Sequence, residues 1–345
     1  MKLKAENFQL IYLNNFWEKI VQLGGQGKSE DNRLKKEFKA LSVEEVQDLS
    51  AQEGWDVKYQ QLEKGQFNAK FSEISSSRFL FSSESYSGKA HISGTSPTDF
   101  VSFGFSTVNS IYNGKLWKPS QIVYLPKNKE MDVVGSKDTE ISVIYVPLED
   151  IKRRIQYLDI DGLLDLSERT PIIFNNSGSH LFASFQKIKH LPFPKDKVGH
   201  NPHHSSELLF DQTLDIIIDD LVADFSNLID ASYRKLDKNY KRAKYLKEFM
   251  MNNLTTSLSI TDMCKISGFS RRNLFYSFKE YYGTPPYNYF LLLRLNAIRN
   301  ELLKARRVDV KIGDLIHKFN FYNFSDFSCL YKNTFGESPS ITLTK

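Results

Sequence analysis

The chain has 345 residues, of which 41% are hydrophobic and 25% charged. These values are ordinary for a folded protein and exclude the fibrous and disordered classes, while the length allows two domains. The two cysteines, Cys264 and Cys329, lie far apart in apolar helical patterns, which excludes a disulfide framework and fits a reducing cytoplasm. Because the N-terminus has no apolar core before a cleavage site, and no window reaches about 18 apolar residues, we expect no export signal and no membrane span.

The charge is divided unevenly along the chain. Residues 231–345 contain 20 Lys or Arg and nine Asp or Glu, a net charge of +11. Residues 1–230 have a net charge of −6, which gives the overall net charge of +5. A polyanion such as double-stranded DNA would therefore bind the last third of the chain. Charge alone also allows the alternative that this part is merely a solvated basic surface.

The first 195 residues predict a domain that mixes helices and strands. Residues 28–53 combine charges with spaced apolar residues, which predicts one or two short helices. Residues 55–147 consist of short runs rich in Phe, Val, Ile and Tyr, separated by turn residues at roughly ten-residue spacing. This texture predicts antiparallel strands in a barrel or a sandwich, and our preferred interpretation is a cupin-like β-barrel with flanking helices. The whole chain is thus expected to be α+β.

Aromatic residues are frequent in the strand segment and could line an apolar ligand pocket. The same residues would serve equally as ordinary barrel core. Arg78 and Lys89 are the basic residues that could meet an anionic effector. The candidate ligand-binding residues are Arg78, Lys89, Phe103, Phe105 and Tyr124.

Residues 196–236 predict a linker followed by a long helix. The linker contains "GHNPHHSS", whose histidines His200, His203 and His204 lack the spacing of metal ligands on a helix or strand, so a solvated loop is favoured. We therefore expect no metal and no cofactor. The helix at 205–233 has a wide apolar face that needs cover, either from the barrel or from a second copy of the chain.

One pattern occurs twice in the last third. The stretch "SRRNLFYSFKEYYGTPP" at 270–286 is repeated as "NFSDFSCLYKNTFGESP" at 323–339. Five positions recur with an offset of 53. They are Leu274, Phe278, Lys279, Gly283 and Pro286, matched by Phe327, Tyr331, Lys332, Gly336 and Pro339. Upstream, "ITDMCKISGF" matches "IGDLIHKFNF" with an offset of 52.

Each copy predicts a short helix, a tight turn and a second helix. Gly268, and Asn320 in the second copy, stand where the first helix must end in the left-handed conformation. Ser270 and Asn323 are the predicted N-caps of the second helices. This is the helix-turn-helix arrangement, in which the second helix enters the major groove of DNA.

Residues 240–342 resemble the DNA-binding domain of the AraC/XylS family of bacterial transcription regulators. The resemblance is carried by the frame F-K-x-x-x-G-x-x-P, which occurs twice, with Tyr331 replacing the second Phe. It implies an all-α domain at 237–345 in which a rigid linker helix joins two helix-turn-helix units. The segment "GWDVKYQQLEKGQFNAKFSEI" also resembles the longer N-terminal domains of XylS-like members. The resemblance implies promoter DNA and RNA polymerase as partners, with a small-molecule effector and a homodimer as further possibilities.

Residues near the start of the first repeated helix are the candidates for reading DNA. By position in the family, Arg272, Phe275 and Tyr276 match groove-facing sites, while Arg271 and Lys279 suit phosphates. Arg272 is the best candidate for a guanine, because its guanidinium can bond O6 and N7 together. The first-copy candidates are Arg271, Arg272, Asn273, Phe275, Tyr276 and Lys279.

The second copy offers no side chain suited to a bidentate base contact. We expect it to hold the protein in position on the DNA backbone and to recognise DNA shape, through Asn323, Lys332 and the amides of its helix N-terminus. Its candidates are Asn323, Phe324, Ser325, Ser328 and Lys332. On the linker helix, Arg294 and Arg299 suit internal ion pairs and phosphate contacts equally.

A sequence-specific regulator, an activator by preference, is therefore the leading interpretation. A barrel metalloenzyme with a nucleic-acid-targeting helical part is one alternative, but no catalytic constellation is present in the sequence, so we expect no enzyme. A nonspecific architectural DNA-binding protein is the other alternative.

Overall fold

The computed structural model describes residues 35–52, 55–76, 78–98, 100–119, 121–157, 172–175, 188, 202–226, 238–305 and 311–344. We call the described residues up to 226 the sheet region and those from 238 the helical region. The strands are β1 (Lys35–Ala40), β2 (Asp56–Gln61), β3 (Ala69–Ser75), β4 (Leu80–Tyr86), β5 (Ala90–Thr95), β6 (Phe100–Ser106), β7 (Ser110–Tyr112), β8 (Lys115–Trp117), β9 (Gln121–Leu125), β10 (Glu130–Gly135), β11 (Thr139–Pro147) and β12 (Ile172–Asn175). The helices are α1 (Val43–Gln52), α2 (Leu148–Tyr157), α3 (Pro202–Ser226), α4 (Lys238–Asn252), α5 (Ile260–Ser267), α6 (Arg271–Tyr282), α7 (Pro286–Lys304), α8 (Ile312–Lys318), α9 (Phe324–Phe335) and α10 (Pro339–Thr342).

The described strands form two antiparallel sheets. One has the order β1-β3-β4-β11-β6-β9-β12, and the other has the order β2-β5-β10-β7-β8. Buried residues from both sheets share one core, to which α1, α2 and α3 add side chains. The predicted α+β class with antiparallel strands is thereby confirmed, and the pairing divides the strands between two sheets.

Side chains of strand β10 pack alternately on the two faces of its sheet. Met131 and Val133 point to the shared core of the sheets, whereas Val134 belongs to a core formed with the helices, and Asp132 bonds to a helix residue. Successive side chains on a strand face opposite sides. The same strand therefore contacts both the sheet core and the helical region.

Helix α3 packs on the sheet core. Phe210, Leu214 and Ile218 are fully buried there, while Leu208 and Ile216 on its other side are 52% and 65% exposed. Internal packing therefore covers one face of this helix. Pairing with a second copy stays a prediction.

The helical region has two cores joined by α7. The first is built by α4, α5, α6 and the start of α7, and the second by the end of α7 with α8 and α9, against which Leu343 packs just after α10. Leu274, Phe278, Phe327 and Tyr331 are at most 1% exposed. The predicted core positions of both repeats are confirmed.

Two short segments differ from the sequence expectation. Lys35–Ala40, predicted as helix, is a strand paired with β3, and Ile172–Asn175, which lies beyond the predicted strand segment at 55–147, is a strand paired with β9. In both cases hydrogen bonds to a distant strand override a weak local preference. Helix α3 begins at Pro202, so His203 and His204 lie in a helix, and a solvated loop was the wrong expectation for these two. His200 lies outside the described residues.

Candidate nucleic-acid interface

The first helix-turn-helix unit is held by local hydrogen bonds. Ser259 and Asp262 form a capping box at the start of α5, each side chain bonding the other's backbone N–H. Helix α5 ends at Gly268, whose φ of 67° lies in the left-handed region. Ser270 then caps α6 by accepting a hydrogen bond from the amide of Asn273 at 3.3 Å. The predicted turn and N-cap are both confirmed.

The second unit repeats this design with different residues. Asn320 has a φ of 59°, so it takes the left-handed conformation that Gly268 takes in the first unit. The side chain of Asn323 accepts hydrogen bonds from the amides of Ser325 at 2.9 Å and Asp326 at 3.3 Å. The expected cap is confirmed, and it engages the side-chain oxygen of Asn323.

Helix α6 presents its predicted reading residues to solvent. Phe275 is 36% exposed and Tyr276 is 68% exposed. Leu274 and Phe278 on the opposite side are fully buried, which fixes the rotation of the helix. The exposed candidates are Arg271, Arg272, Asn273, Phe275, Tyr276 and Lys279. The structure thus brings all six to one accessible surface.

Helix α9 presents a surface of different chemistry. Phe324 is 57% exposed, Asn323, Ser325 and Lys332 are exposed, and Ser328 is half-buried. Tyr322, which precedes the helix and was not among the predicted residues, is 80% exposed and donates a hydrogen bond to the side chain of Asn320 at 3.1 Å. Its position next to the predicted N-cap Asn323 is the sequence feature from which this residue could have been predicted as a contact.

The two linker-helix arginines are internal. Arg294 is 6% exposed, lies over the ring of Phe290 and donates to the backbone oxygens of Leu254 and Thr256. Arg299 is 5% exposed and pairs with two carboxylates, one of them from α1 of the sheet region. The sequence allowed these two arginines either internal ion pairs or phosphate contacts, and the structure shows them in internal contacts.

The sheet region contacts the C-terminal ends of α6 and α9, the second helices of the two units, which we call the reading helices. At α9, the amide of Gly65 donates to the backbone oxygens of Asn333 and Thr334, and the side chain of Gln61 also bonds Thr334. At α6, a side chain added to Gly283 would collide with the ammonium group of Lys89. The N-terminal halves of α6 and α9, which carry most of the candidate DNA contacts, stay exposed.

A buried polar cluster lies between the sheets and helices α4 and α7. Asp132 on β10 bonds Nε2 of His91 at 2.6 Å and Nζ of Lys247 at 2.5 Å. Nδ1 of His91 lies 2.8 Å from the hydroxyl of Tyr289 on α7. Burial raises the pKa of Asp132, but the nearby His91 and Lys247 lower it by more, so its pKa lies below the usual range. A charged carboxylate thus anchors the helical region to the sheets.

The predicted ligand-binding residues are not gathered at one place. Arg78 pairs with Asp215 on α3 at 2.8 Å, and Lys89 lies near α6. Phe103, Phe105 and Tyr124 are sheet core, and none of the three is among the residues lining a cavity between the sheets. In that part of the chain which the structure covers, we found no group of three His, Cys, Asp or Glu able to hold a metal ion. Among the described helices, none is long and apolar enough to cross a membrane.

Comparison with known proteins adds relatives for part of the chain. A family profile described as a helix-turn-helix domain matches residues 263–345. The XylDLEGF operon transcriptional activator 3 of Pseudomonas putida is 30% identical over 98 residues, which are 28% of this chain and 30% of that protein. Activator 1 from the same organism is 27% identical over 120 residues, 35% of each chain. The chain therefore matches about a third of the length of these relatives.

Solved structures of regulators are also similar. The AraC-like transcriptional activator CuxR aligns with 82% of this chain and 100% of its own, at 15% identity and a TM-score of 0.40. An AraC-type regulator from Chromobacterium violaceum covers 30% of this chain and 90% of its own, at 31% identity and a TM-score of 0.29. The profile match and the two units described above identify residues 263–345 as a helix-turn-helix domain, which agrees with the resemblance to the AraC/XylS family and with the similarity to the XylDLEGF operon activators.

Proposed function

We propose that the chain is a sequence-specific DNA-binding transcription regulator and that it acts as an activator. Its two helix-turn-helix units enter successive major-groove segments, about 34 Å apart along the duplex, under the control of the sheet region. Activation is supported by the relatives, which are named transcriptional activators. Promoter DNA and RNA polymerase are then the partners, and the cytoplasm is the compartment. Control through a small-molecule effector or through pairing of two copies completes the proposal.

One observation carries the proposal most directly. Helix α6 exposes Arg271, Arg272, Tyr276 and Lys279 on a rotation fixed by the buried Leu274. A guanidinium so placed can bond O6 and N7 of guanine together, which discriminates against other bases by about 1–3 kcal/mol. The neighbouring basic groups supply phosphate contacts that orient the helix but carry no base preference.

The two units contribute unequally in this proposal. Helix α9 offers Phe324 and Ser325, and the preceding Tyr322 adds a third side chain; the three suit contact with a thymine methyl, a base edge and the sugar-phosphate backbone, respectively. Its N-terminal amides add an anion-binding end for a phosphate. Unit one therefore specifies bases, and unit two fixes register and reads shape.

Replacing Arg272 tests the proposal. After bound promoters are found by genomic footprinting, Arg272→Ala should weaken binding to the best site by about 5- to 150-fold and leave binding to unrelated DNA nearly unchanged, because the lost contact is to a base. Arg271→Ala should instead weaken binding on every sequence alike and reduce the salt dependence by about one counterion. Titration of labelled duplexes at several salt concentrations measures both.

Arg153→Ala serves as the matched control, since Arg153 lies on α2 with its side chain 75% exposed. It should change neither affinity nor salt dependence. Equal weakening by Arg272→Ala on every sequence would refute base reading and favour the architectural alternative.

A further inference from the structure

A cavity of about 80 Å³ lies between the two sheets. A buried water needs about 10–15 Å³ on this measure, so the space is large enough for several waters or one small organic molecule. Both sheets and α1 contribute to its wall. A concave, largely apolar space with a few polar groups is the usual form of a small-molecule site.

Two carboxyl groups lie side by side on the wall of this cavity. The strand register pairs Phe71 with Glu84 and Glu73 with Ser82, which makes the two glutamates diagonal neighbours on one face of the sheet. Glu73 is 9% exposed. Among the described residues that line the cavity, none is Lys, Arg or His. The site therefore offers two carboxyl groups and no basic side chain that would neutralise a carboxylate ligand.

Buried hydroxyls without partners point to a ligand independently of the acidic pair. Ser102 and Tyr112 line the cavity and are 2% and 3% exposed, and neither hydroxyl has a hydrogen-bond partner within the described part of the chain. Leaving a buried polar group unpaired costs about 1–3 kcal/mol. A bound molecule with a polar group would remove that cost.

Most of the remaining wall is apolar, and several of its residues are aromatic. Trp55, Tyr59, Trp117 and Tyr145 all line the cavity, and the ring of Trp55 meets that of Tyr145 edge to face at 5.7 Å. Faces of such rings attract cations within about 6 Å, most strongly where water is excluded. Aromatic walls with neighbouring carboxyls are complementary to an ammonium group on an apolar body.

We propose that this cavity binds a small organic cation, with its ammonium group at Glu73 and Glu84 and its apolar part against the aromatic wall. As an effector site it rests on the regulatory function proposed above. Burial, with the neighbouring Glu73 second, raises the pKa of Glu84 to about 8. Glu84 is therefore largely protonated at pH 7 in the empty cavity, and an entering ammonium group favours release of that proton.

Three probes of matched shape and different charge test the proposal on the full chain. Titration calorimetry at pH 7 should show that benzylamine, a cation, binds at least ten times more tightly than the neutral benzyl alcohol. Benzoate, the anion, should bind more weakly than either. Benzoate binding as tightly as benzylamine would overturn the proposal without the use of any variant.

Variants then locate the binding. Glu84→Gln and Glu73→Gln should each weaken benzylamine binding at least tenfold and leave benzyl alcohol unchanged. Gln resembles the protonated state of Glu84, so the fold should tolerate that change. Asp138→Asn, at an exposed turn position with a φ of 56°, removes a carboxylate elsewhere in the sheet region and should leave benzylamine binding unchanged.

Unchanged benzylamine affinity in both glutamine variants would also overturn the proposal. DNA titrations with the Arg272 variant separate this result from the proposed function. A protein that reads its promoter but does not prefer benzylamine contradicts only the cation site, whereas one that binds benzylamine without any base preference contradicts only the regulator.

Discussion

His91 shows how a single buried residue can connect two parts of the molecule. Its Nε2 lies 2.6 Å from Asp132 and its Nδ1 lies 2.8 Å from the hydroxyl of Tyr289. A neutral ring with the proton on Nε2 satisfies both, donating to the carboxylate and accepting from the tyrosine. Burial lowers the pKa of His91 and the nearby Lys247 lowers it further, and together they outweigh the raising effect of Asp132. The ring is therefore neutral in the folded chain at pH 7.

This lowered pKa predicts a loss of stability in mild acid. The unfolded ring has a pKa near 6.5, so between that pH and its lower folded pKa the unfolded chain binds more protons, and the free energy of unfolding falls as pH falls. The contribution of the neutral His91 ring to the free energy of unfolding is fully present above about pH 6.5 and declines below it. Urea unfolding of the native chain and of His91→Gln, at pH steps from about 7 to 5, measures the difference.

The groups around His91 make the comparison with a variant necessary. Asp132, Lys247 and Tyr289 face it from three elements, and Glu84 elsewhere titrates with the opposite sign because its pKa is raised. His91→Gln leaves those groups in place. Stability curves of the two proteins that run parallel from pH 7 to 5 would show that His91 does not titrate on unfolding.

At the scale of elements, the two turns decide whether each pair of helices forms. Gly268 and Asn320 share the left-handed conformation at the end of the first helix of each unit. Glycine adopts it without strain and asparagine tolerates it, whereas other side chains cost about 1–2 kcal/mol there. The repeat in the sequence therefore encodes one backbone geometry with two residue types.

Gly268→Ala should lower the free energy of unfolding by about 1–2 kcal/mol, since the added Cβ makes φ of 67° strained. It would also lie 2.8 Å from Nη2 of Arg242, a flexible group that can move away. Gly268→Asn should be milder. Chemical denaturation followed by far-UV circular dichroism measures these differences.

Gly313 provides a control of opposite sign. It lies in α8 with nothing within 4 Å of an added Cβ, so Gly313→Ala should stabilise the chain by about 0.5–1 kcal/mol. If both alanine variants shift stability in the same direction, conformation at the Gly268 turn is not the cause.

At the scale of the whole molecule, the sheets and helices form one connected structure. The sheet region bonds α4, α7 and α9, and strands β5 and β10 bear cavity-lining residues on one face and helix-bonding residues on the other. A ligand between the sheets would thus contact the same strands that hold the first unit. This arrangement provides a direct structural connection from the cavity to the reading helices.

The buried ion pair between these regions should be strongly coupled. Asp132→Asn should lower the free energy of unfolding by about 3–5 kcal/mol, because it leaves the ammonium group of Lys247 buried without its counter-charge. The double variant Asp132→Asn with Lys247→Met should recover much of that loss. A double-mutant cycle in urea measures the coupling.

Lys244→Ala is the matched control at the same interface. Lys244 pairs with Glu130, whose side chain is 76% exposed, so its loss should cost less than about 1 kcal/mol. Among the described residues, Trp55 and Trp117 lie in the sheet region, so their fluorescence reports on the sheets, and circular dichroism reports on the helices. An Asp132 variant no less stable than the Lys244 variant would show that the buried pair does not join the regions.

Much of the helical region could be predicted from residues close in sequence. Helix caps at Ser270 and Asn323, left-handed turns at Gly268 and Asn320, and apolar spacing are local features, so the sequence carried them directly. Strand Lys35–Ala40 could not be read this way, because its partner is β3 and its own residues have no strong strand pattern.

The sequence by itself determined the two helix-turn-helix units and the antiparallel character of the sheets, since spacing and turn chemistry act over a few residues. Only the tertiary structure decided which side chains meet across long separations. Asp132 and Lys247 are 115 positions apart, and His91 and Tyr289 are 198 apart. The pair of carboxyls on the cavity wall likewise depends on strand register, because a slip of one residue between β3 and β4 would put Glu73 and Glu84 on opposite faces of the sheet.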